Sequence, residues 1–245
     1  MKTIGVIPAR FASTRFPAKV LAQIAGKPMI EHVWAKAKQA RELEDVIIAC
    51  DHADVFKVAQ SFGAKAVMTD PNHPSGSDRI AQVVKDLDVE IVVNIQGDEP
   101  FVDPKTIDSL VALLKNDSQC QMGTVIKEIK DEADFQNANV VKCVVDAQGY
   151  ALYFSRSPIP YHRNGRKPEG LKNYKHLGLY AYRRNFLLQY KDWPKSILEI
   201  TEQLEQLRVL EKGYRIKTTI TTSESIAVDV LEDLKKAEQW FAQLK

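Results

Sequence analysis

Short apolar runs alternate with amphipathic stretches through the first half of the chain. Runs rich in valine and isoleucine are typical of strands buried on both faces of a sheet. They predict strands over residues 3–7, 46–50, 66–68 and 91–95. Apolar residues at helical spacing predict helices over residues 28–40, 52–62 and 78–87. Strands and helices that alternate in this way indicate a parallel sheet with helices on both faces.

The second half has a different rhythm. Its patterns predict strands over residues 140–145, 150–154, 177–182 and 216–222, and helices over residues 199–211 and 231–244. The first two strands are separated by Gly149 and could form a hairpin, while residues 164–173 are polar and rich in turn formers, which predicts a mobile loop. No repeat or linker divides the chain. We therefore expect one domain over residues 1–245, an open, mostly parallel α/β sheet with an elaborated C-terminal half.

Composition narrows the class of protein. A chain of 245 residues with 44% hydrophobic and 27% charged residues is ordinary for a soluble globular protein. Its net charge of +2 is too small for general nucleic-acid binding, and no run approaches the ~20 apolar residues of a membrane span. Cys50, Cys120 and Cys143 form no C-x-x-C pair, which argues against a disulfide framework or a structural zinc site. No signal-peptide core precedes Arg10, so we expect a cytoplasmic protein.

The first predicted strand is followed by a loop rich in cations and hydroxyl groups. In the stretch IPARFASTRFPAK, Arg10, Arg15 and Lys19 are interleaved with Ser13 and Thr14. Ligands of open parallel sheets bind at the carboxyl ends of the strands. The loop therefore predicts an anion site, and polyphosphate is the obvious anion. Neither G-x-G-x-x-G nor a Walker sequence is present, so it is not one of those two phosphate loops.

Two adjacent carboxylates, Asp98 and Glu99, follow the fourth predicted strand in the stretch NIQGDEP. Magnesium prefers oxygen ligands, often one or two carboxylates together with phosphate oxygens of a substrate. Asp229 ends another candidate strand, residues 226–229, and would supply a second ligand. Nothing local in the sequence establishes that Asp98 and Asp229 meet.

A third stretch, HPSGSDRI, by itself predicts only the start of a helix with Ser77 as its cap. Together with IPARFASTRFPAK, VVNIQGDEP, ALYFSRSPIP, HLGLYAY and LEQLRVLE, it resembles the 3-deoxy-manno-octulosonate cytidylyltransferase family, also called CMP-KDO synthetases. The resemblance extends from Ile4 to about Asp233. It implies a Rossmann-like nucleotidyltransferase fold. It also implies that the anomeric hydroxyl of an acidic eight-carbon sugar, KDO, attacks the α-phosphate of CTP, so that pyrophosphate leaves.

The resemblance implies roles for individual residues, motif by motif. The residues that would hold the triphosphate are Arg10, Ser13, Arg15 and Lys19. Those on the cytosine side would be Ser75, Gly76 and Arg79, with Gln96 as a further contact to nucleotide or sugar. Mg²⁺ would be held by Asp98 and Asp229, which with Lys19 and Arg15 form the predicted catalytic set. The predicted sugar-binding residues are Arg156, His176, Tyr180, Glu205 and Gln206.

The same resemblance assigns residues 1–125 mainly to CTP, and residues 126–245 mainly to the sugar and to a homodimer contact. Two positions depart from the family pattern. Ala18 stands where the family usually has glycine, and a positive φ there would strain the alanine. The usual VDTPED is VDVLED here, which keeps Asp229 but loses the Thr-Pro start of a helix.

Other interpretations stay open from the residues. His176 could be a core histidine, and Glu205 could simply pair with Arg208 at helical i, i+3 spacing. The sugar could be an amino-substituted KDO or sialic acid, or the enzyme could join a sugar phosphate to another nucleotide. A non-catalytic nucleotide-binding regulator is a different class of protein, but binding alone would not need two carboxylates for a metal.

Overall fold

The computed structural model describes residues 1–12, 16–163, 165 and 167–243. Its strands are β1 (Thr3–Ala9), β2 (Gln23–Ile24), β3 (Lys27–Pro28), β4 (Asp45–Cys50), β5 (Lys65–Met68), β6 (Ile91–Asn94), β7 (Met122–Glu128), β8 (Lys142–Val145), β9 (Ala151–Ser155), β10 (Tyr174–Arg183) and β11 (Ile216–Thr221). Its α-helices are α1 (Met29–Ala37), α2 (Ala53–Ser61), α3 (Gly76–Val84), α4 (Pro104–Asn116), α5 (Glu132–Gln136), α6 (Arg184–Tyr190), α7 (Ile197–Glu202), α8 (Leu207–Glu211) and α9 (Leu231–Gln243). Among the described residues, no helix is long and apolar enough to cross a membrane.

The central sheet has the strand order β11-β7-β10-β6-β1-β4-β5, and β8 and β9 join it through β10. Strand β1 pairs in parallel with β4 and β6, and β4 pairs in parallel with β5. Strand β10 runs antiparallel between β6 and β7, and β11 is parallel to β7. The predicted hairpin is present as β8 and β9. The prediction of an open, mostly parallel sheet with an elaborated second half is confirmed.

Apolar side chains fill both faces of this sheet. Ile7 and Val93 lie in one buried cluster with residues of α1 and α4, whereas their neighbours Val6 and Val92 lie in a second cluster with residues of α3 and α6. Because both faces are covered, successive residues of the central strands are apolar rather than alternating. This explains why the sequence of each strand is a continuous apolar run.

The C-terminal helix α9 makes a third cluster on the small β2–β3 hairpin. Ala237 is fully buried there beside Ile24, and the ring of Trp240 stacks on Phe101 with centroids 5.2 Å apart. This packing brings the segment before α9 over the edge of the sheet. Asp229 belongs to that segment.

The loops that follow the parallel strands open at one edge of the sheet. Ala9 lies opposite Cys50, the last residue of β4, and β6 ends at Asn94 beside the same central strand. Strand β10 pairs Tyr180 with Asn94, so its amino-terminal part, which carries His176, extends past the end of β6. The phosphate, metal and sugar motifs predicted from the sequence therefore converge on one edge.

Three predictions of local structure are wrong. Residues 199–211 form two helices, α7 and α8, because Gln203 takes a left-handed conformation with φ of 52° and ends the first helix. Residues 226–229 form no strand, and this segment is held to the loop after β6 by a backbone hydrogen bond. Helix α3 begins at Gly76, and its cap is Ser75 rather than Ser77.

Candidate active site

Lys19, Asp98 and Asp229 meet at the carboxyl edge of the sheet. The Lys19 Nζ lies 2.6 Å from Asp98 Oδ2 and 2.9 Å from Asp229 Oδ1. The two carboxylates are far apart in sequence, yet they face each other across one ammonium group. A backbone hydrogen bond of 2.9 Å from Val228 N to Asp98 O directly joins the segment before α9 to the loop after β6. The oxygen Oδ2 of Asp233 accepts bonds from the backbone N–H groups of Asp229 and Val230, which fixes the start of α9 without the Thr-Pro pair.

The charges of this cluster are partly removed from water. The side chain of Lys19 is 13% exposed, that of Asp98 26% and that of Asp229 42%. Burial by itself lowers the pKa of Lys19, but attraction to Asp98 and Asp229 outweighs burial and leaves this pKa above its ordinary value. Lys19 is therefore a cation at neutral pH, held where two carboxylates already compensate a positive charge.

The donors of this cluster fit a hard divalent cation. Carboxylate oxygens are ligands that magnesium prefers, and two of them converge on one positive centre. Among the described residues, no third His, Cys, Asp or Glu completes a larger metal-binding group. Further ligands would have to come from water or from substrate oxygens, which is usual for magnesium sites that act on phosphates.

The cationic loop after β1 is partly described. Arg10 donates from Nη2 to the carbonyl of His73 at 3.1 Å, which ties the loop to the segment before α3. Ser13 and Arg15 lie outside the described residues, so their predicted roles are not tested. Ala18 has φ of 54°, in the left-handed region that favours glycine, and it begins the 3-10 turn that carries Lys19. The condition for strain at this departure from the family pattern is therefore met.

The turn after β6 needs its glycine. A Cβ atom on Gly97 would lie 2.9 Å from the carbonyl oxygen of Pro8, a backbone atom that cannot move away easily. This close approach places Asp98 beside the end of β1, where the cationic loop begins. Gln96 donates from Nε2 to Gly178 O at 2.8 Å, so its amide joins the β6 loop to β10.

The amino end of α3 carries Ser75 and Gly76 at this edge, and the Ser75 side chain accepts a bond from Asp78 N at 3.2 Å. Arg79 lies one turn later and has no exposed surface. Its guanidinium contacts the hydroxyl of Thr69 and lies 3.3 Å from Asp51 Oδ2. Arg79 therefore links α3 to the ends of β4 and β5, and its predicted contact with cytosine stays a prediction.

The predicted sugar-binding residues on β10 and on the α7–α8 connection lie close together. Tyr180 donates from its hydroxyl to Gln206 Oε1 at 3.1 Å, and the rings of Tyr180 and His176 lie 5.2 Å apart. Burial lowers the pKa of His176 to about 3, so this imidazole is neutral at physiological pH. Its Nε2 is 2.9 Å from the hydroxyl of Thr124. These side chains offer neutral hydrogen-bonding groups.

Glu205 does not serve as the helical partner of Arg208. The Arg208 guanidinium instead makes two bonds to the carboxylate of Glu199, at 2.7 and 2.6 Å. The carboxylate of Glu205 accepts a bond of 3.3 Å from the hydroxyl of Ser77, and burial raises its pKa above the ordinary value. Glu205 therefore connects the α7–α8 region to α3.

Two clefts adjoin this constellation. One of about 520 Å³ is lined by residues that include Ser75, Gln203 and Glu205. Another of about 920 Å³ is lined by residues that include Arg156, Gln203 and Asp229. Gln203 borders both, so the clefts lead from the amino end of α3 towards the carboxylate cluster. Arg156 lies in the second cleft, where its Nε donates to Glu202 O at 2.7 Å.

Sequence patterns did not single out Gln203 or Asp51, and gave Glu99 no role of its own. Gln203 reaches both clefts because it lies at the end of α7, and composition does not reveal that this helix ends there. Asp51 directly follows β4 at the carboxyl edge of the sheet. Burial raises the pKa of Glu99 to about 7, an effect that the neighbouring Asp98 charge reinforces. The one available signal for Asp51 and Glu99 was a carboxylate after a buried strand, which is common in loops.

Comparison with known proteins places this geometry in a family. The chain matches the cytidylyltransferase family over residues 4–220. The 3-deoxy-manno-octulosonate cytidylyltransferase of Solibacter usitatus is 50% identical over 240 residues, which cover 98% of this chain and 94% of that protein. The protein of the same name from Geotalea daltonii is 49% identical over 244 residues, with 96% of each chain covered. A solved structure of CMP:2-keto-3-deoxy-manno-octonic acid synthetase complexed with CTP is similar with a TM-score of 0.95 and 39% identity, over 100% of both chains.

The similarity covers both halves of the molecule, including the motifs from which Lys19, Asp98 and Asp229 come. Sequence identity of this extent and a shared fold over the whole length lead to one assignment: the chain belongs to the cytidylyltransferase family and, within it, to the 3-deoxy-manno-octulosonate cytidylyltransferases.

Proposed function

We propose that this protein transfers CMP from CTP to the anomeric hydroxyl of 3-deoxy-D-manno-octulosonate, forming CMP-KDO and releasing pyrophosphate. The observation that carries the proposal is the meeting of Lys19, Asp98 and Asp229 at the ligand edge of the sheet. Relatives named for this activity share about half of their residues with the chain over nearly its whole length.

The reaction asks for positioning and charge neutralisation more than for covalent chemistry by the protein. Lys19 supplies a fixed positive charge whose pKa is raised, so it stays protonated while negative charge moves to the leaving pyrophosphate. The Arg10 side chain, in the same loop, is held by a hydrogen bond from its Nη2 to His73 O. These cations of the first loop are the groups that would hold the triphosphate.

We propose Mg²⁺ as the cofactor, held by Asp98 and Asp229. When bound, the ion would neutralise phosphate charge and lower the pKa of the attacking hydroxyl. The support is chemical: two hard oxygen donors converge, and they already share one cation, the ammonium group of Lys19. Asp98 is fixed by the close approach of Gly97 to Pro8, so this donor keeps its position.

The sugar side of the site offers a buried donor without a partner. Gln206 accepts from Tyr180 through Oε1, whereas its Nε2 is buried and bonds to none of the described residues. An unsatisfied buried donor costs about 1–3 kcal/mol, so a group that accepts this bond is favoured. A sugar hydroxyl is such an acceptor, and neutral His176 and the buried Glu205 lie in the same region.

Pyrophosphate release over a panel of acidic sugars and nucleotides tests this proposal. KDO, amino-substituted KDO and sialic acid would each be offered with CTP, ATP and UTP in the presence of Mg²⁺. We expect release with KDO and CTP at the highest kcat/KM. Preference for the amino-substituted sugar would reassign the substrate within the same chemistry. Release with sialic acid only, or with no pair, would overturn the proposal.

We further propose a homodimer and a role in supplying an activated sugar for lipopolysaccharide synthesis in the cytoplasm. The support is membership of the family, together with apolar side chains that the described surface leaves exposed, such as Leu152 at 60% and Ile220 at 57%. Apolar surface that a monomer leaves in water is available for a contact between subunits.

A further inference from the structure

Asp51 lies directly after β4, between the cationic loop and helix α3, and it touches both. Its Oδ1 accepts a hydrogen bond of 2.8 Å from the backbone N–H of Phe11, in the loop that carries Arg10 and Lys19. Its Oδ2 lies 3.3 Å from Nη2 of Arg79, on α3. The Asp51 side chain is 10% exposed and that of Arg79 is 0% exposed, so the pair is removed from water.

A second nitrogen of the Arg79 guanidinium also bonds at this edge, whereas its buried Nε bonds to none of the described residues. Its Nη1 contacts the hydroxyl of Thr69, and that hydroxyl donates to Cys50 O at 2.8 Å. Burial lowers the pKa of Arg79, and the charge of Asp51 opposes this effect. A buried cation that lost its carboxylate would leave the interior or disturb its surroundings, at a cost of about 3–5 kcal/mol.

Two further contacts hold the cationic loop, one to the segment before α3 and one to His52, the cap of α2. The Arg10 side chain donates to His73 O, two residues before the cap of α3. The ring of Phe11 stacks on His52 with centroids 4.0 Å apart and an interplanar angle of 16°. The Arg10–His73 bond and the contacts of Asp51 therefore hold the cationic loop beside α3. Asp51 bonds to both sides, and its side chain is 10% exposed.

We propose that Asp51 is a positioning residue that couples the triphosphate side of the nucleotide site to its cytosine side. The inference rests on the proposed function only in taking CTP as the ligand. Through Phe11 N, Asp51 sets the start of the cationic loop, and through Arg79 it sets the amino end of α3. One carboxylate then keeps the two halves at the spacing that one nucleotide requires.

The experiment compares Asp51→Asn with the parent protein and with Asp54→Asn, a nearby exposed carboxylate that contacts neither segment. Calorimetry measures the Kd of CTP with Mg²⁺ present, and competition measures the binding of cytidine and of inorganic tripolyphosphate as probes of each half. We expect Asp51→Asn to weaken CTP at least about tenfold, which is about 1.4 kcal/mol. Both half-probes should weaken, the KM for CTP should rise, and kcat at saturating CTP should stay within about twofold, since the substituted residue does not touch the reacting atoms.

A change confined to one probe would overturn the coupling, and an unchanged Kd for CTP would overturn the proposal entirely. If Asp51→Asn does not fold, the double variant Asp51→Asn/Arg79→Gln removes the unpaired buried charge and restores the fold. The folded double variant is compared with Arg79→Gln alone, and tripolyphosphate is the probe because Arg79 lies on the cytosine side. Tripolyphosphate binding that is weaker in the double variant supports positioning through Phe11 N, whereas equal binding in the two proteins overturns it. If the parent binds CTP but releases no pyrophosphate with any sugar, the proposed function fails and the binding comparison still decides the role of Asp51.

Discussion

At the scale of single residues, the site depends on two carboxylates, Asp98 and Asp229, that bind the same ammonium group of Lys19. Asp98 contributes one of the two oxygens around the Lys19 ammonium, and its position is fixed by the turn after β6. Replacing it by asparagine keeps the shape of the side chain and removes the charge that would hold the proposed Mg²⁺.

We expect Asp98→Asn to fold normally and to lower kcat about 100-fold or more, because charge neutralisation supplies much of the rate of phosphoryl transfer. Pyrophosphate release at saturating Mg²⁺ and CTP measures the effect, and circular dichroism checks the fold. Asp86→Asn, a change at an exposed carboxylate, should leave both measurements unchanged. Near-parental turnover in Asp98→Asn would remove this residue from the catalytic set.

Ala18 is a strained residue beside the site, with φ of 54°. Glycine tolerates this conformation, so we expect Ala18→Gly to raise the free energy of unfolding by about 0.5–1 kcal/mol. Ala22 has φ of −58° and gives a matched control, because glycine there should only add entropy to the unfolded chain and lower stability. Urea unfolding of both variants measures the difference. Equal effects at the two positions would contradict strain at Ala18.

Burial of His176 makes the stability of the protein depend on pH. Its pKa is near 6.5 in the unfolded chain and is lowered to about 3 in the folded protein. The folded state therefore disfavours the proton. The stability that neutral His176 allows is complete above about pH 6.5 and is lost as the pH falls towards 3, by at most about 1.4 kcal/mol per pH unit.

We expect His176→Gln to lose less stability than the parent between about pH 7 and pH 5, in urea unfolding at matched ionic strength. Parallel curves for parent and His176→Gln would mean that the imidazole does not resist protonation in the folded state.

At the scale of elements, the connection between α7 and α8 depends on a buried ion pair. Glu199 is the third residue of α7 and forms a capping box with Ser196. Its carboxylate accepts two bonds from Arg208 on α8, and both side chains are 8% exposed. Gln203, in a left-handed backbone conformation, ends α7 before α8 begins. The pair therefore fixes how the two short helices lie and so where Glu205 and Gln206 are presented.

We expect Glu199→Gln to lower the free energy of unfolding by about 3–5 kcal/mol, since it leaves the Arg208 charge buried without its carboxylate. Asp88→Asn breaks an exposed pair with Lys2, which water and salt screen, so the free energy of unfolding should hardly change. Denaturant unfolding measures both values. Similar small losses in the two variants would show that Arg208 finds water or another partner without cost.

Sequence patterns predicted the strands with continuous apolar runs better than the elements whose apolar run is interrupted. The strands that became β1, β4, β5 and β6 were predicted within about two residues, because burial on both faces imposes continuous apolar runs. No pattern predicted β7, in which Gly123 and Lys127 interrupt the apolar run. A Cβ atom on Gly123 would lie 3.0 Å from Leu114 Cδ1, which is tighter than an ordinary contact, and Lys127 is buried with its ammonium bonded to Ser223 O. Both exceptions arise from packing against distant residues.

At the scale of the whole molecule, the exposed apolar residues lead to a prediction of assembly. Light scattering at micromolar concentration should give twice the 27.7 kDa mass of one chain, because association removes apolar surface from water. Dilution into the nanomolar range should lower this mass if the contact is reversible. A single-chain mass at micromolar concentration would contradict the proposed homodimer.

The sequence by itself determined the fold class, the family and the motifs at the carboxyl ends of the strands, because apolar periodicity and local motifs are written in consecutive residues. It also placed Lys19 and Asp98 at one edge, since parallel strands end together. The resemblance implied that Asp229 joins them, but no residue pattern did. The tertiary structure brings it there through the packing of α9 on Phe101 and the hydrogen bond from Val228 N to Asp98 O, which are contacts between residues distant in sequence. The tertiary structure also decided the helix break at Gln203 and the contacts of Asp51 with both the cationic loop and α3. Each depends on which distant polar groups are buried and hydrogen-bonded together, and no local sequence pattern records that requirement.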